Sequence, residues 1–487
     1  MTRGDDRTAV KETAIGDLLH NHSDHEGVGS SLAAIVMESS SGDHPVGCRN
    51  HDATGAKPPQ SLEFVRLTSD DERDYRIEQG GGVPWRDMGA VETHRPPERD
   101  VAITGIETMA IAGNFTWGIV KVRTDAGVYG LGETFRAEAA LDMADRMDVD
   151  LVGENPLDTH RLRELLEQRY TGTGRIGQAA FTAIETACYD IKGKLLDVPV
   201  YELLGGKYRD EIEVYCDTHG GESLGAASEH DPREVYTPES YARAAREVID
   251  AGFEALKFDL DVPTHADHDE ANRRLDNDAI EHKVSLVEAV RDEIGYDVDL
   301  GMDLHWNFTV ETAIRLGKKL ERFDLAWLED PVPPEKTAAQ KRVTEALDLP
   351  VLTGENLVTT AQFNTAASEG ILDIAAPDVN KCGGLGEYVD IATVCDLYGV
   401  PVASHSISSP LGSVAGAHVS AAIPNFLCME FHARDVPWWN DLCERVAGSG
   451  PILDDGSIDL PEGPGLGVRL NRDLCAEHLV DGYDLIV

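Results

Sequence analysis

The chain has 487 residues, of which 41% are hydrophobic, and its 88 acidic and 43 basic side chains give a formal net charge of −45. This length allows two or three domains, or one barrel with additions. The charge argues against nucleic acid or an anionic membrane surface as a partner, because both would repel the chain. The acidic residues are spread along the whole sequence, which favours a halophilic surface, solvated in high salt that screens the self-repulsion.

The eight cysteines indicate a reducing compartment. None form a CxxC pair, and several lie in apolar runs such as TACYDI and NFLCME, which is typical of buried free thiols. No apolar run approaches the roughly 18 residues of a membrane-spanning helix, and the N-terminus lacks a basic-then-apolar signal segment. These features predict a soluble cytoplasmic protein.

Residues 1–97 form a polar stretch rich in Gly, Ser, His and Asp. This composition predicts a disordered or non-native N-terminal extension rather than a histidine metal site. Order begins near Val101, where residues 101–135 alternate apolar and polar side chains and are split by DAG, as in a three-stranded meander. Helical periodicity follows, so residues 98–211 are predicted to form an α+β capping domain with helices near 139–152, 157–170 and 179–196.

From residue 212 onward, strand patterns alternate with helical ones, which is typical of a (β/α) barrel. Eight strands are predicted, at 212–217, 253–259, 298–303, 325–330, 350–354, 373–377, 400–404 and 425–430. The stretch after the last strand lacks a clean eighth helix. We therefore predict a barrel domain over residues 212–435 and a C-terminal segment, residues 436–487, that packs back on the cap.

Six acidic or imidazole side chains close short apolar runs at successive strand ends, 23 to 27 residues apart: Asp303, Glu329, Glu355, Asp378, His405 and Glu430. This interval is the length of one strand–loop–helix–loop unit. In a parallel barrel the carboxyl ends of the strands meet at one mouth, where active sites are built. The spacing therefore predicts that all six groups line one pocket.

Asp303, Glu329 and Glu355 are predicted to hold a metal ion. Three carboxylates at the ends of adjacent strands would repel one another strongly in a confined mouth. A hard divalent cation removes that repulsion, and ligation by oxygen atoms alone suits Mg²⁺. A single acid at a strand end is also compatible with a helix cap or an ion pair, but the equal spacing of three favours the metal.

Asp378 and His405 are predicted to form a general base. An aspartate that accepts a hydrogen bond from one imidazole nitrogen raises the basicity of the other, which can then remove a proton from carbon beside a carboxylate. The resulting second negative charge needs a metal and a proton donor on the carboxylate oxygens. Glu430, as a carboxylic acid opposite the metal, is predicted to be that donor.

Three further polar residues lie near the same strand ends. Lys257 is predicted to act as an acid or base, or to neutralise a substrate carboxylate, and Asp259 shares its face. The alternative is a structural ion pair between the two. His305 shares the face of Asp303 and is predicted to protonate a leaving hydroxyl or, alternatively, to hydrogen-bond a metal ligand.

The motifs KFD, MDLHWN, WLEDPVPPE, TGEN, PDVNKCGG, ASHS and MEFH occur in this order over residues 101–487. In motifs and spacing the chain resembles the enolase superfamily, and within it the mandelate racemase-like group. The resemblance implies an α+β cap over a modified (β/α)₇β TIM barrel, which agrees with the missing eighth helix. It also implies Mg²⁺ on the three strand-end carboxylates, the aspartate–histidine base and Glu430 as enolate stabiliser.

The group contains racemases, lactonising enzymes and sugar-acid dehydratases, so the fold alone does not select the reaction. Lys257-x-Asp259 stands where many members have Lys-x-Lys. Asp303-x-His305 stands where racemases have Asp-x-Asn, and this variant resembles the acid-sugar dehydratases. The resulting hypothesis is Mg²⁺-dependent dehydration of a linear aldonic acid, such as gluconate, galactonate, xylonate or arabinonate, to a 2-keto-3-deoxy acid.

Two alternatives remain open. One is a racemase or epimerase that uses Lys257 and His405 on opposite faces of the substrate, and the other is a catalytically silent, metal-binding paralogue. The resemblance further implies a homo-oligomer, from dimer to octamer. Cap loops IAGNFTWG and TGTGRIG and the end of the first barrel strand supply candidate substrate contacts, which are Asn114, Trp117, Arg175, Asp217 and His219.

Overall fold

The computed structural model describes residues 100–135, 137–220, 232–264 and 273–487. The predicted extension of residues 1–97 therefore lies outside the described residues. The seven cysteines in the described part are buried and unpaired, as predicted. No helix within these ranges combines the length and the apolar composition needed to cross a membrane.

The cap begins with an antiparallel meander of β1 (Ile103–Ala112), β2 (Thr116–Thr124) and β3 (Tyr129–Thr134). Four helices follow: α1 (Ala137–Leu151), α2 (Thr159–Arg169), α3 (Gly174–Leu196) and α4 (Val200–Leu203). Helix α3 packs directly on β3 because Gly132 has no side chain. A Cβ there would lie 2.0 Å from the carbonyl oxygen of Ala183. The predicted meander and its three longer helices are all present.

Eight parallel strands form a closed barrel in which β11 pairs with β4. These strands are β4 (Glu211–Thr218), β5 (Ala255–Asp259), β6 (Asp299–Asp303), β7 (Trp327–Glu329), β8 (Val351–Thr353), β9 (Ile374–Ala375), β10 (Val402–Ser404) and β11 (Phe426–Phe431). The helices between them are α5 (Pro232–Val235), α6 (Pro238–Asp250), α7 (Asn277–Ile294), α8 (Val310–Leu320), α9 (Thr337–Thr344), α10 (Thr360–Ser368), α11 (Leu385–Leu397) and α12 (Pro410–Ala422). The prediction of a (β/α)₇β barrel with an α+β cap is confirmed.

Local sequence starts several barrel helices. Thr237 caps α6 in a capping box with Ser240, and proline follows at the first helical position. Asp276, Thr309 and Thr359 similarly accept backbone N–H groups at the starts of α7, α8 and α10. These caps hold the strand-to-helix loops on which barrel active sites are built.

After β11 the chain makes β12 (Cys443–Arg445), β13 (Ser457–Asp459), β14 (Val468–Leu470) and α13 (Arg472–Glu477). No α-helix directly follows β11 within this described segment, in which a 3₁₀ turn spans Asn440–Leu442. Strand β13 pairs antiparallel with β4, and β12 pairs with β14. The last residues contact the cap, where Leu479 bridges to Ile111 in β1.

His418 is buried where α12, α4 and the C-terminal segment meet. We expect this burial to make the stability of the fold depend on pH. Its Nδ1 accepts the backbone N–H of Tyr201 at 3.3 Å, and its Nε2 donates to the carbonyl of Leu466 at 3.1 Å. Burial lowers the pKa of this histidine from 6.5 to about 4. Because the pKa of His418 is lower in the folded state, the unfolded chain binds more protons as the pH falls. The contribution of His418 to the free energy of unfolding is therefore complete above about pH 6.5 and is lost as the pH falls through 4.

We expect wild type to lose about 3 kcal/mol more than His418→Gln in free energy of unfolding between pH 7.5 and pH 4. Denaturant titrations of both proteins at constant high salt measure the difference. Parallel pH profiles for the two proteins would contradict a neutral buried imidazole at this position.

Candidate active site

The six predicted side chains lie at the carboxyl ends of neighbouring barrel strands. The strand register places Asp259 beside Asp303, and Asp303 beside Glu329. A backbone bridge pairs Asp378 with His405 just beyond β9 and β10. All six are at most 8% exposed, although such groups are normally solvated. The barrel therefore buries this set of ionisable groups at one mouth.

Lys257 lies at the centre of four carboxylates. Its Nζ is 2.7 Å from Glu430 Oε1 and 3.1 Å from both Asp303 Oδ2 and Glu329 Oε2. Asp217 Oδ2 is 3.7 Å away. Burial alone would lower the pKa of the ammonium. The carboxylates outweigh burial and raise this pKa well above its usual value. Lys257 is therefore a buried cation, and its ion-pair partners are these four carboxylates rather than the expected Asp259.

These carboxylates carry more negative charge than one ammonium compensates. Burial, and then the Asp303 carboxylate, raise the pKa of Glu329 well above its usual value despite Lys257. Burial, with a contribution from Asp259, raises the pKa of Asp217 to about 8. Oxygen ligands with uncompensated negative charge fit a hard divalent cation.

The three predicted metal ligands do not all contact the same neighbouring residue. Asp303 and Glu329 contact the same Lys257 ammonium, whereas Glu355 contacts His405. Within the described ranges, the ligand atoms that lie within 4.8 Å of one another as a possible metal group belong to Asp259, Asp303 and His305. Asp303 is common to both sets. The assignment of Glu329 and Glu355 as ligands stays a prediction.

His405 is held by carboxylates on both ring nitrogens. Nδ1 is 2.7 Å from Asp378 Oδ2, and Nε2 is 2.5 Å from Glu355 Oε2. Burial and Lys381 lower its pKa, but Glu355, Glu430 and Asp378 raise it to well above the usual value. The Asp378 contact places a proton on Nδ1, so that Nε2 is the nitrogen able to exchange one. The aspartate–histidine pair predicted from spacing is formed.

Lys381 is a site residue that sequence reasoning misses. Its Nζ is 3.0 Å from Asp378 Oδ2 and 3.7 Å from Glu355 Oε2, and it lies 4.2 Å above the ring centre of Phe135. Burial raises the pKa of Asp378, but Lys381 and His405 reverse the shift, so the carboxyl has a lowered pKa and stays ionised. The available signal was a lysine three positions after the aspartate in PDVNKCGG.

His305 lies beside Asp303 in an unusual backbone conformation. Its φ is 38° and that of Trp306 is 52°, in the left-handed region where strain often marks functional sites. Nδ1 is 3.2 Å from Asp261 Oδ1, and Nε2 is 3.6 Å from Asp303 Oδ2. Burial lowers its pKa, but Asp303, Asp261 and Asp259 raise it to about 12. The imidazole is therefore protonated at neutral pH, and its 35% exposure leaves the proton within reach of a bound ligand.

Glu430 is predicted from the sequence to be a neutral acid, and its surroundings favour the ionised form. Burial alone would raise its pKa, but Lys257 and His405 lower it to about 2. Its Oε2 also accepts the backbone N–H of Ser406 at 2.8 Å. These contacts favour an ion pair between Glu430 and Lys257, and the role of Glu430 as a proton donor stays a prediction.

The candidate contacts at the first barrel strand form a histidine–aspartate cluster. His219 Nδ1 is 3.1 Å from Asp259 Oδ2, and His432 Nε2 is 3.3 Å from Asp217 Oδ2. Burial and the neighbouring His219 lower the pKa of His432 to about 4, so this ring is neutral. Buried Oδ1 atoms of Asp217 and Asp259 have no hydrogen-bond partner among the described residues. Such atoms suit hydroxyl donors of a substrate.

The two candidate residues of the first cap loop bind barrel loops. Asn114 Nδ2 donates to the carbonyl of His432 at 2.7 Å. Trp117 is buried, and its Nε1 donates to the carbonyl of Ile407 at 3.2 Å. Both side chains therefore join the cap to the barrel mouth, and a role in substrate contact stays a prediction.

Arg175 reaches the site from the first turn of α3, just after the second cap loop. Its guanidinium donates to Asn356 and lies 2.8 Å from Glu335 Oε1. Asn356 in turn donates to Glu355 Oε1 at 2.7 Å. Cavities of about 520 and 500 Å³ lie beside Arg175. The side-chain amide of Asn356 therefore connects Arg175 to Glu355, and a role of Arg175 in substrate contact stays a prediction.

Fold and site define a capped (β/α) barrel enzyme whose ionisable groups gather at the carboxyl ends of its strands. The chain belongs to the enolase superfamily: residues 93–205 match the mandelate racemase / muconate lactonizing enzyme N-terminal domain, and residues 240–474 match the enolase C-terminal domain-like family. Members of this superfamily use a divalent metal ion.

The relatives are named sugar-acid dehydratases. The chain is 42% identical to the D-xylonate dehydratase of Haloferax volcanii over 82% of this chain and 95% of that protein. It is 29% identical to the D-gluconate/D-galactonate dehydratase of Picrophilus torridus, over 75% and 89%. A crystal structure of a mandelate racemase/muconate lactonizing enzyme-like protein from Rubrobacter xylanophilus superimposes with a TM-score of 0.75 at 36% identity, over 80% and 100%. The prediction of a hydro-lyase agrees with these names.

Proposed function

We propose that the chain catalyses the Mg²⁺-dependent dehydration of a linear aldonic acid to a 2-keto-3-deoxy acid. One observation carries the proposal: two histidines, each held by an aspartate, stand at the same barrel mouth. Dehydration of a 2,3-dihydroxy acid needs a base at C2 and an acid at the C3 hydroxyl. His405 and His305 are suited to these two tasks.

His405 removes the C2 proton in this proposal. Asp378 holds the Nδ1 proton at 2.7 Å, so Nε2 accepts the substrate proton. Lys381, 3.0 Å from Asp378, keeps the aspartate ionised throughout. These contacts give the imidazole one orientation and one tautomer.

Carbon beside a carboxylate is a weak acid, because ionisation adds a second negative charge to an anionic group. Bound Mg²⁺, held by Asp303 with Glu329 and Glu355, would neutralise the carboxylates near His405 and stabilise that second charge. Lys257 supplies a further positive charge beside Glu430. This cation takes the place of the neutral Glu430 expected from the sequence.

His305 completes the reaction by protonating the C3 hydroxyl as it leaves. Asp303, Asp261 and Asp259 keep the imidazole charged, and its exposure allows it to reach a substrate hydroxyl. Loss of water gives an enol, and its tautomerisation yields the 2-keto-3-deoxy acid. Asp217 and Asp259, with their unpartnered oxygen atoms, are candidates to accept hydrogen bonds from the remaining hydroxyls.

The racemase alternative needs a second base on the opposite face, and Lys257 was the candidate. Its ammonium is buried among four carboxylates that hold its proton. Carboxylates also raise the pKa of His405, so charge alone does not choose between the two candidate bases. What favours dehydration is His305, a second imidazole at the mouth that elimination of water uses and racemisation does not.

The test is a screen of aldonic acids in molar KCl, with 2-keto acids detected as semicarbazones. Xylonate comes first, followed by gluconate, galactonate and arabinonate. We expect 2-keto-3-deoxy acid from at least one acid, loss of turnover after dialysis against a chelator, and recovery when Mg²⁺ is restored. Exchange of the C2 proton without 2-keto acid from any substrate would instead establish an epimerase and end this proposal.

The proposal includes the high-salt cytoplasm and the homo-oligomer that are expected from the sequence. The net charge of −45 supports an enzyme adapted to the cytoplasm of a high-salt cell. A homo-oligomer of two to eight chains is expected from the family, and light scattering in molar KCl measures it.

A further inference from the structure

Two buried glutamates of the cap domain reach across to the barrel and take no part in the proposed chemistry. Glu133 belongs to β3 and Glu185 to α3, and both are at most 4% exposed. Their carboxylates accept hydrogen bonds from the first residues of α12 and α11. These helices follow the loops that carry His405 and Asp378.

Glu133 binds the loop after β10. Its Oε1 accepts the Ser409 N–H at 2.9 Å, its Oε2 accepts the Gly412 N–H at 3.0 Å, and the Ser409 hydroxyl also donates to it. Asn380 Nδ2 donates to the same carboxylate at 3.3 Å. Because Ser409 is the N-cap of α12 and lies four residues after His405, Glu133 restrains that loop directly.

The hydrogen bonds continue from Glu133 into the site. Asn380 donates its backbone N–H to Asp378 Oδ1 at 2.7 Å and its side-chain amide to the Ser408 hydroxyl at 2.7 Å. The Ser408 hydroxyl lies 2.9 Å from that of Ser406, whose backbone N–H binds Glu430. One buried network thus connects the cap carboxylate to two site residues, Asp378 and Glu430.

Glu185 binds the loop after β9. Its two oxygens accept the N–H groups of Leu385 at 2.8 Å and Gly386 at 3.2 Å, at the start of α11. The N-cap of α11 is Gly384, whose φ is 111° and which makes no side-chain cap. A Cβ there would lie 2.3 Å from Glu185 Oε2, so only glycine allows this approach.

An acidic cap at a helix N-terminus normally comes from the helix's own sequence, as Asp276 does for α7. For these two helices the acid comes from the other domain. We propose that Glu133 and Glu185 are positioning residues through which the cap holds the loops of the aspartate–histidine base. This positioning role rests on the proposed function only for the measurement of kcat, because hydrogen exchange needs no substrate.

The test compares Glu133→Gln and Glu185→Gln with Asp190→Asn in the full chain, in molar KCl with Mg²⁺. Asp190 is a matched control, because it is a buried carboxylate of α3 that also accepts two backbone N–H groups. Its donors are Leu131 at 3.0 Å and Leu466 at 2.9 Å, which are not in the base loops. Substitution to the amide keeps the size of the side chain in all three variants and replaces one accepting oxygen with an NH₂ donor.

We expect kcat to fall about 10- to 100-fold in each glutamate variant with KM changed by less than about 3-fold, since small misplacements of a catalytic group have effects of this size. Asp190→Asn is expected to lower Tm and leave kcat unchanged. Hydrogen exchange should become faster in residues 405–413 for Glu133→Gln and in residues 380–387 for Glu185→Gln, with no such change in the control.

The exchange measurement separates this proposal from the proposed function, because it needs no substrate. Unchanged exchange in both loops would overturn the positioning role, as would a loss of kcat that follows Tm equally in all three variants. If Glu133→Gln does not fold, Ser409→Ala removes one donor and keeps the carboxylate. Faster exchange in residues 405–413 is then expected, and unchanged exchange overturns the role.

Discussion

His405→Asn is expected to lower the rate of dehydration about 10³- to 10⁴-fold and to abolish exchange of the C2 proton, since general bases contribute about 10²- to 10⁴-fold. The asparagine amide can still donate to Asp378, which is 2.7 Å from Nδ1 in wild type, so the loop after β10 should keep its conformation. What the variant lacks is the nitrogen at the Nε2 position. The loss should therefore appear in kcat for both exchange and elimination.

The measurements are transfer of solvent deuterium to C2, followed by NMR, and formation of 2-keto acid. His418→Gln is the matched control, because it also removes a buried histidine but lies away from the mouth. It should change stability and leave kcat near that of wild type. Undiminished C2 exchange in His405→Asn would remove this histidine from the mechanism, whereas no exchange even in wild type would favour a silent paralogue.

His305→Asn is expected to separate the two halves of the reaction. Removing the acid should slow loss of the C3 hydroxyl about 10²- to 10⁴-fold, while His405 still exchanges the C2 proton. The wild-type imidazole is charged, because Asp303, Asp261 and Asp259 raise its pKa to about 12. An uncharged amide there cannot supply the proton.

The same two assays, run on both histidine variants, give opposite patterns. Exchange should be lost with His405→Asn and retained with His305→Asn, whereas 2-keto acid formation should fall in both. Equal loss of exchange and elimination in His305→Asn would mean that this residue instead supports the carboxylates predicted to bind the metal. That outcome would favour the alternative hypothesis of a racemase or epimerase.

Most of the barrel was predictable because strand-end residues recur with the period of a βα unit. All eight predicted strands occur, and the observed strands differ from the predicted ones mainly by being shorter, as in Ile374–Ala375 for 373–377. The pairing of Asp378 with His405 was also predictable, since adjacent parallel strands place their ends side by side. Periodicity reports burial and direction along one strand, and both predictions use only that information.

The charge state of the site was not predictable from spacing. Glu430 is predicted from the sequence to be a neutral acid, but Lys257 lies 2.7 Å from its Oε1 and lowers the pKa of that carboxyl. Lys381 lies in the motif PDVNKCGG, whose spacing from the strand ends predicts no role for it. Each of these results depends on which side chains from different strands meet inside the barrel, and on how much water burial excludes.

The sequence alone thus determined the capped barrel, its strand order and the six ionisable strand ends at one mouth, because local periodicity and spacing carry that information. Only the tertiary structure decided which of those groups share a proton or a cation, and that Glu133 binds Ser409 across 276 residues of chain. Contacts over such separations leave no periodic signal, since they arise when the cap closes on the barrel. Hydrogen bonds between the two domains, rather than the motifs, connect the cap to the base.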